Sequence, residues 1–239
     1  MQPAVHLAER RENVIILGGG DGFVAFEVLK HAGVKQIDLV DIDPAVTTLF
    51  REHPLFSQIN HASLRDSRVH IHNTDAMQFL QNCQQFYDVI IIDLPDPSEP
   101  ALSKLFSRGF YHLVESHLSK GGVIATQATS PFRSRAAFWC IVHTLQSVKL
   151  NPDEKPLHVA AYHTVVPTFG TWGFVLAMRD QPAIDEIKLT VPTRYLSEKI
   201  LPGMFAFPED MSEIETPITT LNEPAVYKLY AKGYHQYLD

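Results

Sequence analysis

"NVIILGGGDG" (residues 13–22) runs four consecutive aliphatic residues into three glycines and an acid. A short aliphatic run ending in a glycine turn reads as a buried strand. The next stretch, "FVAFEVLKHAG" (23–33), has helical spacing and stops at Gly33. The same alternation recurs downstream. "QIDLVDID" (36–43) reads as a strand before a helix opening at Pro44 and including "AVTTLFREH", and "SRVHIHNTDAMQFLQN" (67–82) as a strand turning into a helix. "YDVIIIDLPDP" (87–97) reads as a fourth strand and "GGVIATQAT" (121–129) as a fifth. Between those two, "SKLFSRGFYHLVESHL" (103–118) has one apolar helical face, and "FRSRAAFWCIVHTLQSV" (132–148) follows as a further helix. "LHVAAYHTVVP" and "WGFVLAM" supply two last extended segments. The first five strands read as too uniformly apolar to face water on either side. The spacing therefore predicts an α/β fold: a mostly parallel seven-stranded sheet with helices on both faces.

Composition narrows the function classes. The chain has 239 residues, 45% of them hydrophobic, which suits one large domain with an appendage. Residues 1–179 read as the main α/β domain. Residues 180–239, broken by Pro182, Pro192, Pro202, Pro208, Pro217 and Pro224, read as a tail of short helices and turns packed on it, with Tyr195, Phe205, Phe207, Tyr227 and Tyr230 as packing anchors. A net charge of −7 without a basic stripe argues against a nucleic-acid partner and for a small cationic or neutral ligand. Two cysteines make no disulfide framework and point to a reducing, cytoplasmic setting. No apolar run reaches membrane-spanning length, and the first 15 residues are too charged for a signal peptide.

In a doubly wound sheet, ligands bind beyond the carboxyl ends of the strands, where strand order reverses. Asp21, Asp41, Asp75 and Asp93 fall at four such ends, with Asp96 three residues further on. Like charges gathered there repel one another unless something positive or a strong donor arrives. Gly18, Gly20 and Gly22 form a turn through which backbone can approach a ligand closely; a tight crossover turn is the plain alternative. Asp21 disfavours phosphate or carboxylate and suits an ammonium or sulfonium, unless it only caps the turn. Asp41, 23 residues past Gly18, stands where an acid accepts both ribose hydroxyls, and Asp43 reads as the cap before Pro44. Asp75 with Ala76 can receive an adenine amino group, and Asp75 is equally a good helix cap. Gln127, Tyr162 and Trp172 lie near later strand ends. His70 and His72 lack a third ligand at credible spacing, so no metal site is expected. No nucleophile elbow or cysteine nucleophile motif is present.

Assembled, these residues resemble the catalytic domain of the polyamine aminopropyltransferases, the spermidine synthase family. The resemblance rests on "IILGGGDG", "LVDIDPAV", "DAMQFL", "YDVIIIDLPDP", "LFSRGFYHLV", "GGVIATQATSPF" and "VPTFGTWGFVLA", in order over residues 11 to 178. "RAAFWCIV", "RYLSEKILPGMFAFPEDM" and "LNEPAVYKLY" further resemble the subgroup in which this domain follows a multi-pass membrane segment. The resemblance implies a class I S-adenosylmethionine-methyltransferase-like Rossmann fold. It implies no tightly bound cofactor, with decarboxylated S-adenosylmethionine as co-substrate and a diamine as acceptor. By it Asp21 contacts the aminopropyl end, Asp41 the ribose and Asp75 the adenine; Asp93 is the catalytic acid-to-base residue, Asp96 assists at the polyamine site, and Gln127 and Tyr162 line that site. It leaves room for a homodimer and for a membrane-embedded segment in a longer parent chain. The sequence departs from the family in three places. About ten residues, rather than a β-stranded domain, precede the first strand; "DLPDP" replaces "DSSDP"; and "PTFGT" replaces "PTYPSG". Two other readings stay open on the same sheet: an S-adenosylmethionine-dependent small-molecule methyltransferase, and a non-catalytic nucleoside-binding domain.

Overall fold

The computed structural model describes residues 1–151 and 153–235. Helix α1 (Gln2–Leu7) leads into β1 (Asn13–Gly18), α2 (Phe23–Leu29) and β2 (Gln36–Val40). Helices α3 (Pro44–Glu52) and α4 (Pro54–Ile59) precede β3 (Val69–His72), α5 (Ala76–Asn82) and β4 (Tyr87–Asp93). Then come α6 (Pro100–Ser103), α7 (Arg108–Ser116), β5 (Leu118–Gln127), α8 (Arg135–Gln146) and the hairpin of β6 (His158–Val166) and β7 (Gly170–Met178). The tail holds α9 (Leu201–Met204) and α10 (Ala225–His235).

The seven strands form one sheet in the order β3-β2-β1-β4-β5-β7-β6. The first five run parallel, and β7 is antiparallel to both of its neighbours. Sequence-adjacent strands lie on one side of β1 and later strands on the other, so strand order reverses between β1 and β4. The register sets Gly18 directly beside Asp93 at that carboxyl edge.

The unbroken aliphatic runs follow from burial on both faces. Ile15, Leu17, Ile90 and Ile92 join one core with Phe110 of α7 and Phe138 of α8. Val14, Ile16, Val89 and Ile91 face the opposite core with Val5 of α1 and Val28 of α2. Each such side chain stabilises the fold by roughly 1.5–3 kcal/mol.

Three sequence expectations are corrected. β3 is an edge strand, and all four of its residues are at least partly exposed, His70 the most, because the cover that buries the central strands thins out at the sheet's margin. The expected helix over 103–118 divides: a 3-10 turn at Lys104–Phe106 ends at Ser107, whose hydroxyl accepts from Phe110 N–H and starts α7, and the segment from Leu118 is already strand. Helix α1 has no counterpart in the sequence reading; its charged flanks hide an apolar face formed by Ala4 and Val5.

Helix α8 is the platform for the tail. Trp139 Nε1–H donates to the Met211 carbonyl at 3.0 Å, and Arg135 Nε–H to the Ser212 carbonyl at 2.7 Å. Thr219 N–H donates to Thr144 Oγ1 at 3.0 Å, and Thr219 Oγ1 accepts from Val226 N–H at 2.9 Å, which anchors the start of α10.

Gly18 has φ +85°, and a Cβ there would collide with the Asp93 carbonyl oxygen. Gly18→Ala combines left-handed strain with a backbone clash at the central strand pair. It is expected to cost about 2–4 kcal/mol, read as a lowered urea midpoint with unchanged slope.

Candidate active site

Strand ends set the site. β1 delivers Gly18, the residue beyond β2 is Asp41, α5 opens on Asp75 and Ala76, and β4 ends on Asp93. Gly18, Asp41, Asp75, Ala76 and Asp93 all line one cavity of about 660 Å³ at the carboxyl edge, with Leu94 and further apolar side chains completing its wall. Gly20, Asp21, Gly22, Asp96, Gln127 and Tyr162 stand outside that lining.

The acids are held in different ways. Asp41 Oδ2 accepts from Gly20 N–H at 2.8 Å and Oδ1 from Asp43 N–H at 2.9 Å, so backbone fixes the carboxylate while lone pairs stay open to a ligand. A Cβ on Gly20 would sit 2.6 Å from Asp41 Oδ2, which explains the glycine there. Asp43 caps α3 through Ala45 N–H, as its place before Pro44 suggests. Asp75 Oδ1 caps α5 through Gln78 N–H at 2.9 Å, and Asp21 Oδ1 closes an Asx turn on Phe23 N–H at 3.0 Å. Each of those two capping roles occupies one oxygen and leaves the other.

Asp93 differs. Among the described residues no group hydrogen-bonds to or pairs with its side chain. Burial first, then the charges of Asp21 and Asp41, push its carboxyl up to about 6, with the Met1 amino group partly opposing them. Burial, with Asp41 adding to it, also raises Asp21 against the pull of Phe23 N–H.

Asp96 is tethered instead. Its Oδ2 accepts from Tyr230 Oη–H of α10 at 3.0 Å and from Thr129 Oγ1–H at 3.4 Å, while Oδ1 is shut off from water without a partner. Gln127 reaches the same loop. Its Nε2–H donates to the Leu94 carbonyl at 2.6 Å, and its Oε1 accepts from Thr129 N–H at 3.0 Å and Trp172 Nε1–H at 3.3 Å. Tyr162 lies within β6 rather than at its end, buried against Phe174 and Phe205, with Oη 3.4 Å from the Met1 amino group. It lines a second cavity of about 380 Å³ with Glu27. His72 Nε2 meets Asp38 Oδ1 at 2.8 Å. Sequence reasoning missed the tethers from Thr129 and Tyr230. Tyr230 reads as one more packing aromatic, and no local pattern links it to a residue 134 positions away.

The fold and the acid-lined cleft define a class: a class I methyltransferase-like Rossmann domain with carboxylates gathered at the switch point of the sheet. Residues 2–188 match the family model described as spermine/spermidine synthase domain, so the chain belongs to that family. It is 41% identical to a polyamine aminopropyltransferase of Oceanobacillus iheyensis, covering 99% of this chain and 46% of that protein. It is 37% identical to one of Leptospira interrogans, covering 100% of this chain and 46% of that protein. The chain thus spans about half the length of the curated relatives it matches. In fold it is similar to a crystal structure of spermidine synthase in complex with the transition-state analogue AdoDATO, with TM-score 0.73, 24% identity, and coverage of 86% of this chain and 70% of that one. The spermidine synthase of Thermotoga maritima superposes with TM-score 0.71 at 24% identity, over 86% of this chain and 69% of that one. Among the described residues no helix is long and apolar enough to cross a membrane.

Raising the Asp93 carboxyl from 3.8 to about 6 means that the folded state holds this proton more tightly than the unfolded chain. Its stabilising share is therefore complete below about pH 4 and lost as pH rises through about 6, a cost of roughly 3 kcal/mol at neutral pH. Asp93→Asn should raise the melting temperature at pH 8 and change it little at pH 4. An unchanged melting temperature at pH 8 would contradict this account of the carboxyl.

Proposed function

We propose that this chain transfers the aminopropyl group of decarboxylated S-adenosylmethionine to a diamine such as putrescine, giving spermidine and methylthioadenosine. The observation that carries the reading is the unpartnered, desolvated Asp93 carboxyl at the wall of the acid-lined cavity, beside the glycine turn. Family membership supports the same chemistry. Residues 1–179 form the catalytic part in this reading, and 180–239 a tail packed on it.

The Gly18, Gly20 and Gly22 turn admits the nucleoside. Asp41 accepts the ribose hydroxyls, and Asp75 with Ala76 receives the adenine edge. Asp21 faces the cationic aminopropyl end. Asp96 binds the amine, and the family pattern adds Gln127 and Tyr162 as walls of the amine site. In the reaction the amine lone pair forms a C–N bond to the aminopropyl carbon attached to sulfur. The C–S bond breaks, its electron pair goes to the sulfonium, and neutral methylthioadenosine departs. The sulfonium is already an activated leaving group, so the protein need only supply a deprotonated amine held in line. An alkylamine resembling lysine is neutral in roughly one molecule in two thousand at pH 7. Asp93 takes the amine proton, and a base near 6 is matched to that task at neutral pH. Decarboxylated S-adenosylmethionine is a co-substrate here, with no tightly bound cofactor. A homodimer, and attachment of an otherwise cytoplasmic domain to a membrane segment of a longer parent chain, belong to the same proposal.

The direct test is incubation of the protein with decarboxylated S-adenosylmethionine and a panel of diamines, with detection of methylthioadenosine. Turnover only with the intact methyl donor would favour a methyltransferase. Tight methylthioadenosine binding without any turnover would favour a nucleoside-binding domain.

Asp93→Asn is expected to lower kcat by about 10²–10⁴-fold while leaving methylthioadenosine affinity within a few-fold. In the unaltered protein, kcat/KM should fall about tenfold per pH unit below about 6, where Asp93 becomes protonated, and the Asn variant should lose that limb. Asp21→Asn removes the like-charge clash with the carboxylate of intact S-adenosylmethionine. Its affinity for that molecule should rise by about 5- to 10-fold in calorimetry, while its affinity for the decarboxylated form falls.

A further inference from the structure

We propose that Tyr230 of α10 is a positioning residue for amine binding: its hydroxyl, with that of Thr129, fixes Asp96 Oδ2 so that the unpartnered Oδ1 is held ready for the substrate ammonium. This rests on the proposed role of Asp96 in the amine site and assigns the C-terminal tail a part in it.

Four observations converge. First, Asp96 Oδ2 has two hydroxyl donors from distant parts of the chain, Tyr230 at 3.0 Å and Thr129 at 3.4 Å. Second, Asp96 Oδ1 is out of contact with water and has no partner, a costly state for a carboxylate oxygen unless a donor arrives. Third, Thr129 holds φ +60°, a backbone conformation that a β-branched residue adopts only when its surroundings enforce it. That enforcement is present: Thr129 N–H donates to Gln127 Oε1, and the Thr129 carbonyl accepts from Gly173 N–H at 2.7 Å. Gln127 in turn holds the Leu94 carbonyl, so one amide at the end of β5 ties the segment that carries Thr129 to the loop that carries Asp96. Fourth, Tyr230 remains a donor. Burial and the adjacent Asp96 carboxylate push its phenol well above the ordinary range, and its ring packs against Tyr234 at 4.5 Å. A lone pair taken up by a tyrosine hydroxyl cannot bind amine, but it stops the side chain from rotating. The remaining oxygen then meets its ligand at low entropic cost. The loop's own Pro95 and Pro97 stiffen the backbone on either side of Asp96.

Tyr230→Phe keeps the ring and deletes only the hydroxyl. With putrescine as acceptor, the amine KM should rise about tenfold, the size of one hydrogen bond to a charged group. The KM for decarboxylated S-adenosylmethionine should stay the same, and kcat should stay within about threefold. Placed on Asp96→Asn, the same substitution should add nothing, because its effect passes through the carboxylate. Thr129→Ala, which removes the other donor and relaxes the backbone, should raise the amine KM by a smaller factor. It serves as the second variant should Tyr230→Phe melt early. An unchanged amine KM in Tyr230→Phe, or a full additional loss on Asp96→Asn, overturns the assignment while leaving aminopropyl transfer standing. Were the unaltered protein to turn over no amine, the proposed function would fall separately. Putrescine titrated calorimetrically into protein saturated with methylthioadenosine would then decide: tenfold weaker binding in Tyr230→Phe supports the positioning role, and equal or absent binding refutes it.

Discussion

The site depends on one pairing, Gly18 of β1 beside Asp93 of β4. It places the end of a fully buried strand against a residue with no side chain, so the two backbones can close and the acid is carried out to the lip of the sheet. From that register follow the glycine turn, the approach of Gly20 N–H to Asp41, and the electrostatic coupling of Asp93 to both Asp21 and Asp41. A one-residue slip would exchange the two core faces and turn Asp93 into the opposite layer. Two interdigitated cores, each taking alternate residues of the same strands, make that slip prohibitively costly.

Elsewhere in the sheet the fold satisfies its buried acids. β4 carries two aspartates. Asp88, near its start, accepts from Glu12 N–H at 2.9 Å and Asn13 N–H at 3.1 Å and lies 3.8 Å from Arg10. Asp38, buried on β2, accepts from Tyr87 Oη–H and Gln36 Nε2–H and meets His72. Asp93 shares a strand with Asp88 and a sheet with Asp38 and has none of these partners. No hydrogen bond offsets its desolvation and the Met1 amino group offsets it only in part, so its carboxyl moves up to about 6.

What the sequence made legible is what local chemistry dictates. Consecutive aliphatics at 14–17 and 89–92 imply two covered faces; Asp43 before Pro44 implies a cap; acids at successive strand ends imply a common edge. The edge position of β3 was hidden because Val69 and Ile71 look as apolar as a central strand until the neighbours are known. The break at Ser107 was hidden because apolar spacing persists through the 3-10 turn that interrupts the helix. The tethers of Asp96 were out of reach for a different reason. Thr129 and Tyr230 are ordinary residues for a strand end and a packed helix, and only the path of the tail over α8 brings them together.

That path gives the tail a physical role. Its segment from Met211 to Val226 is fastened to α8 by Trp139, Arg135, Cys140 and Thr144, through side chains that reach backbone groups. Hydrogen bonds of this type fix a chain that has too little regular structure to fix itself. The result is that α10 arrives over the DLPDP loop as a rigid element rather than a loose one. A hydroxyl on such an element can restrain a carboxylate rotor, whereas the same hydroxyl on a fraying terminus could not. The two acids of the loop thereby differ in their partners within four residues of chain. Asp93 is fixed by its strand and left without donors, so its proton affinity rises. Burial raises the Asp96 carboxyl as well, but its donors, Tyr230 first and then Gln127 and Thr129, hold back part of that rise. In the proposed reaction the first takes a proton from the amine and the second holds its cationic end.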